Sequence, residues 1–281
     1  MTLDLNSASR ASYLVRQTYR YDYPEPIREL SHRLVVIPPE RLGDQRRLSY
    51  KVEVGLTGAT LHDRTDRFGN VVYEAFADRV VDSIEFVAEV SVERHAAEPN
   101  RLLAGWLEDG YLLAATELTR PDDRILRAAE ELLDSAEYGL PLADRINDWV
   151  YQSMTYRHDV TGVRTSAAEA LAIGAGVCQD YAHLMLAVCR ACGLPARYVS
   201  GHLLGEGGMH AWVEVVLPAQ NGTGEAVVHA FDPTHASRGG LGYVTVAVGA
   251  DYSDVAPTSG TFVGARGRLT ATKKVTQLEV G

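Results

Sequence analysis

The sequence predicts an α+β fold, a helical lobe packed on an antiparallel sheet and preceded by a β-sandwich-like N-terminal domain. Three observations carry this. Alternating apolar and polar residues punctuated by turn signals fill the first hundred residues. A helical period takes over after Pro99, and period-two patterning returns from Ala196. Strands grouped together and helices grouped together, without β-α alternation, point to α+β.

The bulk numbers fit that class. The 281 residues suffice for one large domain or two ordinary ones. A hydrophobic content of 46% with 23% charged residues is ordinary for a soluble globular protein and supplies ample core. The net charge of −10, from 37 acidic and 27 basic residues, argues against nucleic acid or an anionic membrane surface as the main partner. The opening MTLDLNSASRASYLVRQTYRYDYPEP has no apolar h-region, and no run of about eighteen apolar residues occurs. A cytoplasmic, non-membrane protein is the expectation. Three cysteines, an odd count, do not make a disulfide framework.

Strands are expected over Tyr13 to Tyr21, Glu29 to Ile37 (stopped by Pro38-Pro39) and Arg47 to Val54. Thr60 to Asp66 and Val71 to Phe76 flank Gly69-Asn70, a hairpin signal. Val80 to Arg94 reads as one long strand or a strand pair. Residues 1–100 thus form the β-rich domain. Asn100 to Leu118 reads as a linker with a short helix. Pro121-Asp122-Asp123 opens a helix to Leu133, with proline and acids where a helix start favours them. Leu142 to Met154 is amphipathic. Ser166 to Ala172 begins with a capping box, Ser166 and Glu169. Cys178 to Cys192 ends at Gly193 as C′, with Pro195 beyond. Four strands follow over Ala196 to Leu203, Met209 to Leu217, Ala226 to Phe231 and Tyr243 to Val248. They close a core of residues 115–255, and residues 256–281 form an extension with room for one more strand.

Cys178 stands at the start of a helix, behind Gly174 and Gly176. The first amides of a helix lack intrahelical partners and carry partial positive charge, which stabilises a thiolate. The glycines permit close approach, and the free amides suit a developing oxyanion. The competing reading is a small buried hydrophobe, the common fate of a free cysteine. His210, behind a Gly-Gly turn at the mouth of a strand, can face a cleft; His183, His202, His229 and His235 are its competitors. Asp232 ends an apolar strand before Pro233, either as a turn residue or as the partner that a buried acid requires. If the strands of His210 and Asp232 are antiparallel neighbours, the two side chains meet. Thiol, imidazole and carboxylate then have the order of nucleophile, base and orienter.

The segments GAGVCQDYAHLMLAVCRACGLPARYVSG (Gly174 to Gly201), MHAWVEV (Met209 to Val215) and FDPTH (Phe231 to His235) together resemble the transglutaminase-like superfamily, the papain-like branch found in bacteria. Residues 10 to 95 resemble the β-rich region that precedes the core in its bacterial members. The resemblance implies a papain-like core with a Cys178–His210–Asp232 triad and a thioester intermediate. It implies hydrolysis of an amide or isopeptide bond in a peptide or protein substrate, with acyl transfer to an amine as the alternative. No metal or organic cofactor is implied, and the N-terminal domain is a candidate partner module. His202 departs from the aromatic residue more usual after Ser-Gly.

Other readings were open. A binding or scaffold protein on the same fold would need no intact triad. Cys189-Arg-Ala-Cys192 has the spacing of a redox or zinc pair, but it falls in the last turn of a helix and has no second ligand pair, so packing is expected. Trp212 should share a strand face with His210, as a cleft wall or as core. Tyr156, His158 and Gln179 are possible oxyanion donors. Gly205 to Gly208 is a lid or a plain hairpin loop.

Overall fold

The structure is a computed structural model and describes residues 5, 8–96, 100–220 and 224–281. Pro99, where the composition changes, lies outside the described residues, as do most of the first seven.

The N-terminal half runs β1 (Arg10–Asp22), β2 (Ile27–Ile37), β3 (Arg41–Leu42), β4 (Gln45–Val54), β5 (Thr60–Thr65), β6 (Val71–Val80) and β7 (Ser83–His95). The long stretch expected from Val80 is therefore one strand, β7, while Val80 itself ends β6 before the exposed Val81. β8 (Arg101–Leu103), a 3₁₀ turn over Ala104–Glu108 and α1 (Gly110–Leu113) occupy the expected linker. Then come α2 (Asp123–Ser135), α3 (Leu140–Ser153), β9 (Thr155–Tyr156), α4 (Ala167–Ile173), β10 (Ala175–Gly176) and α5 (Cys178–Ala191). The chain closes with β11 (Ala196–Leu203), β12 (His210–Pro218), β13 (Glu225–Asp232), β14 (Ser237–Arg238), β15 (Tyr243–Gly249), α6 (Tyr252–Val255), β16 (Thr258–Val263) and β17 (Arg268–Val280).

Local chemistry sets the ends of these helices. Asp122 caps α2 through the amides of Arg124 and Ile125, and Ser166 with Glu169 forms the capping box of α4. α5 ends in a Schellman motif. Gly193 adopts φ +74°, Leu194 N–H donates to the Cys189 carbonyl and Gly193 N–H to that of Arg190.

Two sheets, ordered β17-β1-β7-β4-β3 and β16-β2-β6-β5, enclose one apolar core. The 256–281 extension thus adds two strands, not one, and each completes an N-terminal sheet. β17 is the strand the sequence left room for, with Val275 and Val280 packed inward; β16 is the one it missed, because Ser259, Gly260 and Thr261 are exposed and give no alternation. The third large sheet, β14-β13-β12-β11-β15 with β8 on β13, is antiparallel and carries α5 on one face. Nearly every residue of α5 is buried between that sheet and α2, α3 and α4.

Two buried amide side chains join the halves. Asn70 donates to the Val248 carbonyl at 2.7 Å and accepts from Val248 N–H at 2.9 Å; Gln45 does the same for Thr245, at 2.7 and 2.9 Å. β15 has β11 on one side only, and these amides satisfy backbone groups on its other side.

Candidate active site

The glycine loop before Cys178 is pinned at both ends. β9 and β10 pair in parallel, Thr155 with Ala175 and Tyr156 with Gly176. Gly174 ends α4 in the left-handed region at φ +68°. At Gly176 an added Cβ would fall 2.5 Å from the Asp180 carboxylate, which turns back to accept Val177 N–H at 2.8 Å and the Thr161 hydroxyl at 2.6 Å. Burial raises the Asp180 pKa. Cys178 follows as the first residue of α5, partly exposed, at the positive end of the helix, where the Asp180 and Tyr181 amides already donate to the Val177 carbonyl.

β12 and β13 are antiparallel neighbours, with Val213 opposite Phe231. Asp232 is one residue past that pair, and His210 lies two residues before Trp212 on the same strand face. Asp232 Oδ2 is 2.7 Å from His210 Nε2, and the Cys178 thiol is close enough to the imidazole to interact with it. The structure thus brings Cys178, His210 and Asp232 together. Burial opposes charge on His210, but the hydrogen bonds and negative charges of Asp232 and Cys178 prevail and push its pKa up to about 10. For Asp232 burial alone would raise the pKa, yet its bonds to His210, His235 and Tyr243 pull it down to about 2. An ion pair of imidazolium and carboxylate results.

Three more residues join this cluster: His235, named from the sequence only as a competitor to His210, and Tyr243 and Glu206, which the sequence did not single out. The Tyr243 hydroxyl donates to Asp232 Oδ2 at 2.8 Å. His235 Nδ1 lies 2.8 Å from the same oxygen, and its Nε2 lies 3.3 Å from Glu206 Oε1. Glu206 Oε2 in turn lies 3.2 Å from His210 Nδ1. Two imidazoles and two carboxylates therefore form a closed ring. His235 had a legible signal, because Asp-Pro-Thr-His is a turn in which Thr234 N–H donates to Asp232 Oδ1 and His235 N–H to the Asp232 carbonyl. Glu206 and Tyr243 had none, since one sits in the Gly205–Gly208 turn and the other begins a strand.

The remaining histidines stay apart. His183 and His202 are fully buried, and desolvation pushes both down to about 4. His183 Nε2 accepts from Tyr252 N–H, and His202 Nδ1 is 3.3 Å from the Gly208 carbonyl. His229 is lowered by partial burial. Trp212, 1% exposed, is core as well as a wall: its ring stacks on His210 at 6.1 Å and meets Tyr243 edge-on at 5.3 Å. Gln179 donates to the Val163 carbonyl at 3.3 Å. Tyr156 is half-exposed, with His158 edge-on to it at 5.2 Å. A cleft of about 550 Å³ beside the cluster is lined by Tyr151, Tyr156, Tyr181, Glu206 and His235.

Cys189, in the last turn of α5, and Cys192, at its C-cap, are both buried. Burial pushes the Cys189 thiol far above the usual range and Cys192 up to about 11. Arg190 between them is also buried, donating to Thr119 Oγ1 and the carbonyls of Ala250, Ala196 and Leu112. His210, Asp232 and His235 are close enough to hold an ion, each ligand atom within 4.8 Å of the others. Their spacings of 2.7 and 2.8 Å are those of hydrogen bonds.

Residues 127–223 match the transglutaminase-like superfamily core, and residues 13–93 match the bacterial transglutaminase-like N-terminal region. An uncharacterized protein of Mycobacterium leprae is 40% identical over 126 residues, 41% of this chain and 42% of that one. An uncharacterized protein of Mycobacterium tuberculosis is 37% identical over 134 residues, 43% of this chain and 42% of that one. The chain spans less than half the length of these curated relatives. A solved structure from Cytophaga hutchinsonii, titled a "putative cysteine protease", superposes with a TM-score of 0.73 at 21% identity. It covers 96% of this chain and 91% of that one, and so shares the fold. With the core motifs on α5, β12 and β13 and the β-rich region before them, the chain belongs to the transglutaminase-like superfamily.

Proposed function

We propose that the protein is a thiol-dependent hydrolase of amide or isopeptide bonds in peptide-like substrates. The observation that carries this reading is one imidazole shared by two partners. His210 bonds Asp232 at 2.7 Å on one nitrogen and meets the thiol of Cys178, at a helix N-terminus, as well.

In this reading Cys178 attacks the substrate carbonyl as a thiolate, and the first amides of α5 receive the oxyanion. The imidazolium of His210 protonates the leaving amine, so the C–N bond breaks as the thioester is completed. Water then attacks the thioester, with His210 taking its proton and the thiolate leaving. Asp232 fixes the tautomer and stabilises the imidazolium. Tyr243 and His235 hold Asp232 in turn. The C. hutchinsonii neighbour's title is consistent with this class of chemistry.

The test is acylation by p-nitrophenyl acetate. The reading predicts a burst of p-nitrophenolate near one equivalent and a single acetyl group, located on Cys178 by mass spectrometry. Release at the same rate from Cys178→Ala, with no adduct on Cys178, would refute it.

A further inference from the structure

Glu206 lines the cleft beside His210, at the imidazole nitrogen that does not face Asp232. The proton that His210 gives to a leaving amine, or takes from an attacking one, is on the nitrogen facing Cys178. Glu206 Oε2 is 3.2 Å from Nδ1 of that ring, so an amine nitrogen about 3 Å from Nδ1 is within roughly 6 Å of the carboxylate. Glu206 and Asp232 place two carboxylates around the His210 imidazole, at 3.2 and 2.7 Å, and Glu206 is the one that also lines the open cleft. Tyr151 and Tyr156, 47% and 45% exposed, line the same cleft and supply the aromatic surface that cations favour. The turn that carries Glu206 leaves it room to move from the imidazoles to a ligand. Gly205 has φ +95°, and added Cβ atoms at Gly205, Gly207 and Gly208 would meet nothing within 4 Å.

We propose that Glu206 makes the amine side of the cleft a cation subsite, selecting amines with a second, positively charged group two or three bonds from the reacting nitrogen. The inference rests on the thiol reading above. It adds the chemical class of the leaving or accepting amine, a short diamine-like group. A free α-amino group beside the scissile nitrogen belongs to the same class.

The experiment starts from the acetyl-enzyme formed with p-nitrophenyl acetate. An added amine attacks the thioester carbonyl, a C–N bond forms as the C–S bond breaks, sulfur leaves as thiolate, and the proton of the amine passes to His210. The rates of this step with 1,2-diaminoethane, 2-methoxyethylamine and glycine are compared in the wild type, Glu206→Gln and Glu206→Lys. Comparing each amine across the three proteins cancels its intrinsic reactivity. Because Glu206 is 38% exposed, the expected loss of preference for the diamine over the methoxyamine in Glu206→Gln is modest, about five- to tenfold. Glu206→Lys is expected to shift the preference toward glycine. If Glu206 only positions the imidazole, both variants slow all three amines by one factor and the ratios stay fixed, which overturns the subsite alone. Failure to form any acetyl-enzyme overturns the thiol reading, and the subsite with it.

Discussion

An added Cβ on Gly201 would sit 2.5 Å from Cη2 of the Trp212 indole and collide with the Val244 carbonyl oxygen. Gly201 pairs with His210 in the β11–β12 ladder, so the glycine lets the indole lie flat where it stacks on the His210 imidazole. Gly201→Ala has no flexible neighbour to displace. It is expected to destabilise by about 1–3 kcal/mol and to lower the Cys178 acylation rate more than its effect on folding would explain. Denaturant melts and burst rates on the same preparation check this. An unchanged burst rate would detach Trp212 from the site.

Asp232 Oδ2 accepts from three donors, and each removal has its own signature. Tyr243→Phe deletes one hydrogen bond to the ionised carboxylate, an expected loss of about 1.5–3 kcal/mol and less than about a hundredfold in acylation. Asp232→Asn removes the charge opposite the imidazolium and favours the wrong tautomer, with an expected loss of about 10³–10⁴-fold. Pre-steady-state release of p-nitrophenolate measures both. Equal losses would mean that the carboxylate acts only as a hydrogen-bond acceptor.

The ion pair sets a pH window for stability. His210 is raised from its ordinary 6.5 to about 10, so its contribution is whole below 6.5 and disappears as pH climbs through 10. Asp232 is lowered from 3.8 to about 2, so its contribution is whole above 3.8 and disappears as pH falls through 2. The gap in melting temperature between wild type and His210→Gln should be flat from about pH 4 to 6.5 and narrow toward pH 10. A gap that widens above pH 7 would contradict the assignment of charge.

The N-terminal sheets stabilise the core through Asn70 and Gln45. Asn70→Ala leaves the N–H and C=O of Val248 without their side-chain partner in a buried place. The expected cost is about 1–3 kcal/mol for each orphaned group, with a raised tendency to associate through the edge of β15. Chemical denaturation and light scattering report the two effects. Wild-type stability would mean that water replaces the amide.

Much of this architecture is written locally in the sequence. Cys178 reads as a helix start, His210 as a strand mouth and Asp232 as a strand end, and each of those ends is set by neighbours within a few residues. Ser166 with Glu169 and Gly193 with Leu194 are legible for the same reason. What tertiary convergence decides is not legible. Asn70 reads as a hairpin turn residue, yet its amide reaches a strand 178 positions away. Glu206 reads as solvent-facing loop, and only the folding of its turn over β12 brings it to two histidines. β16, with Ser259, Gly260 and Thr261 exposed, shows itself as a strand only beside β2.

The central claim is that Cys178 is held as the reactive partner of His210 while the other two cysteines are inert. Iodoacetamide alkylation, followed residue by residue by mass spectrometry from pH 5 to 10 in wild type and His210→Ala, tests it most directly. The account predicts that Cys178 alkylates readily well below pH 8, that the low-pH reactivity is lost in His210→Ala, and that Cys189 and Cys192 stay unmodified in the folded protein. A Cys178 that alkylates no faster than Cys189, or whose profile is the same without His210, would contradict it.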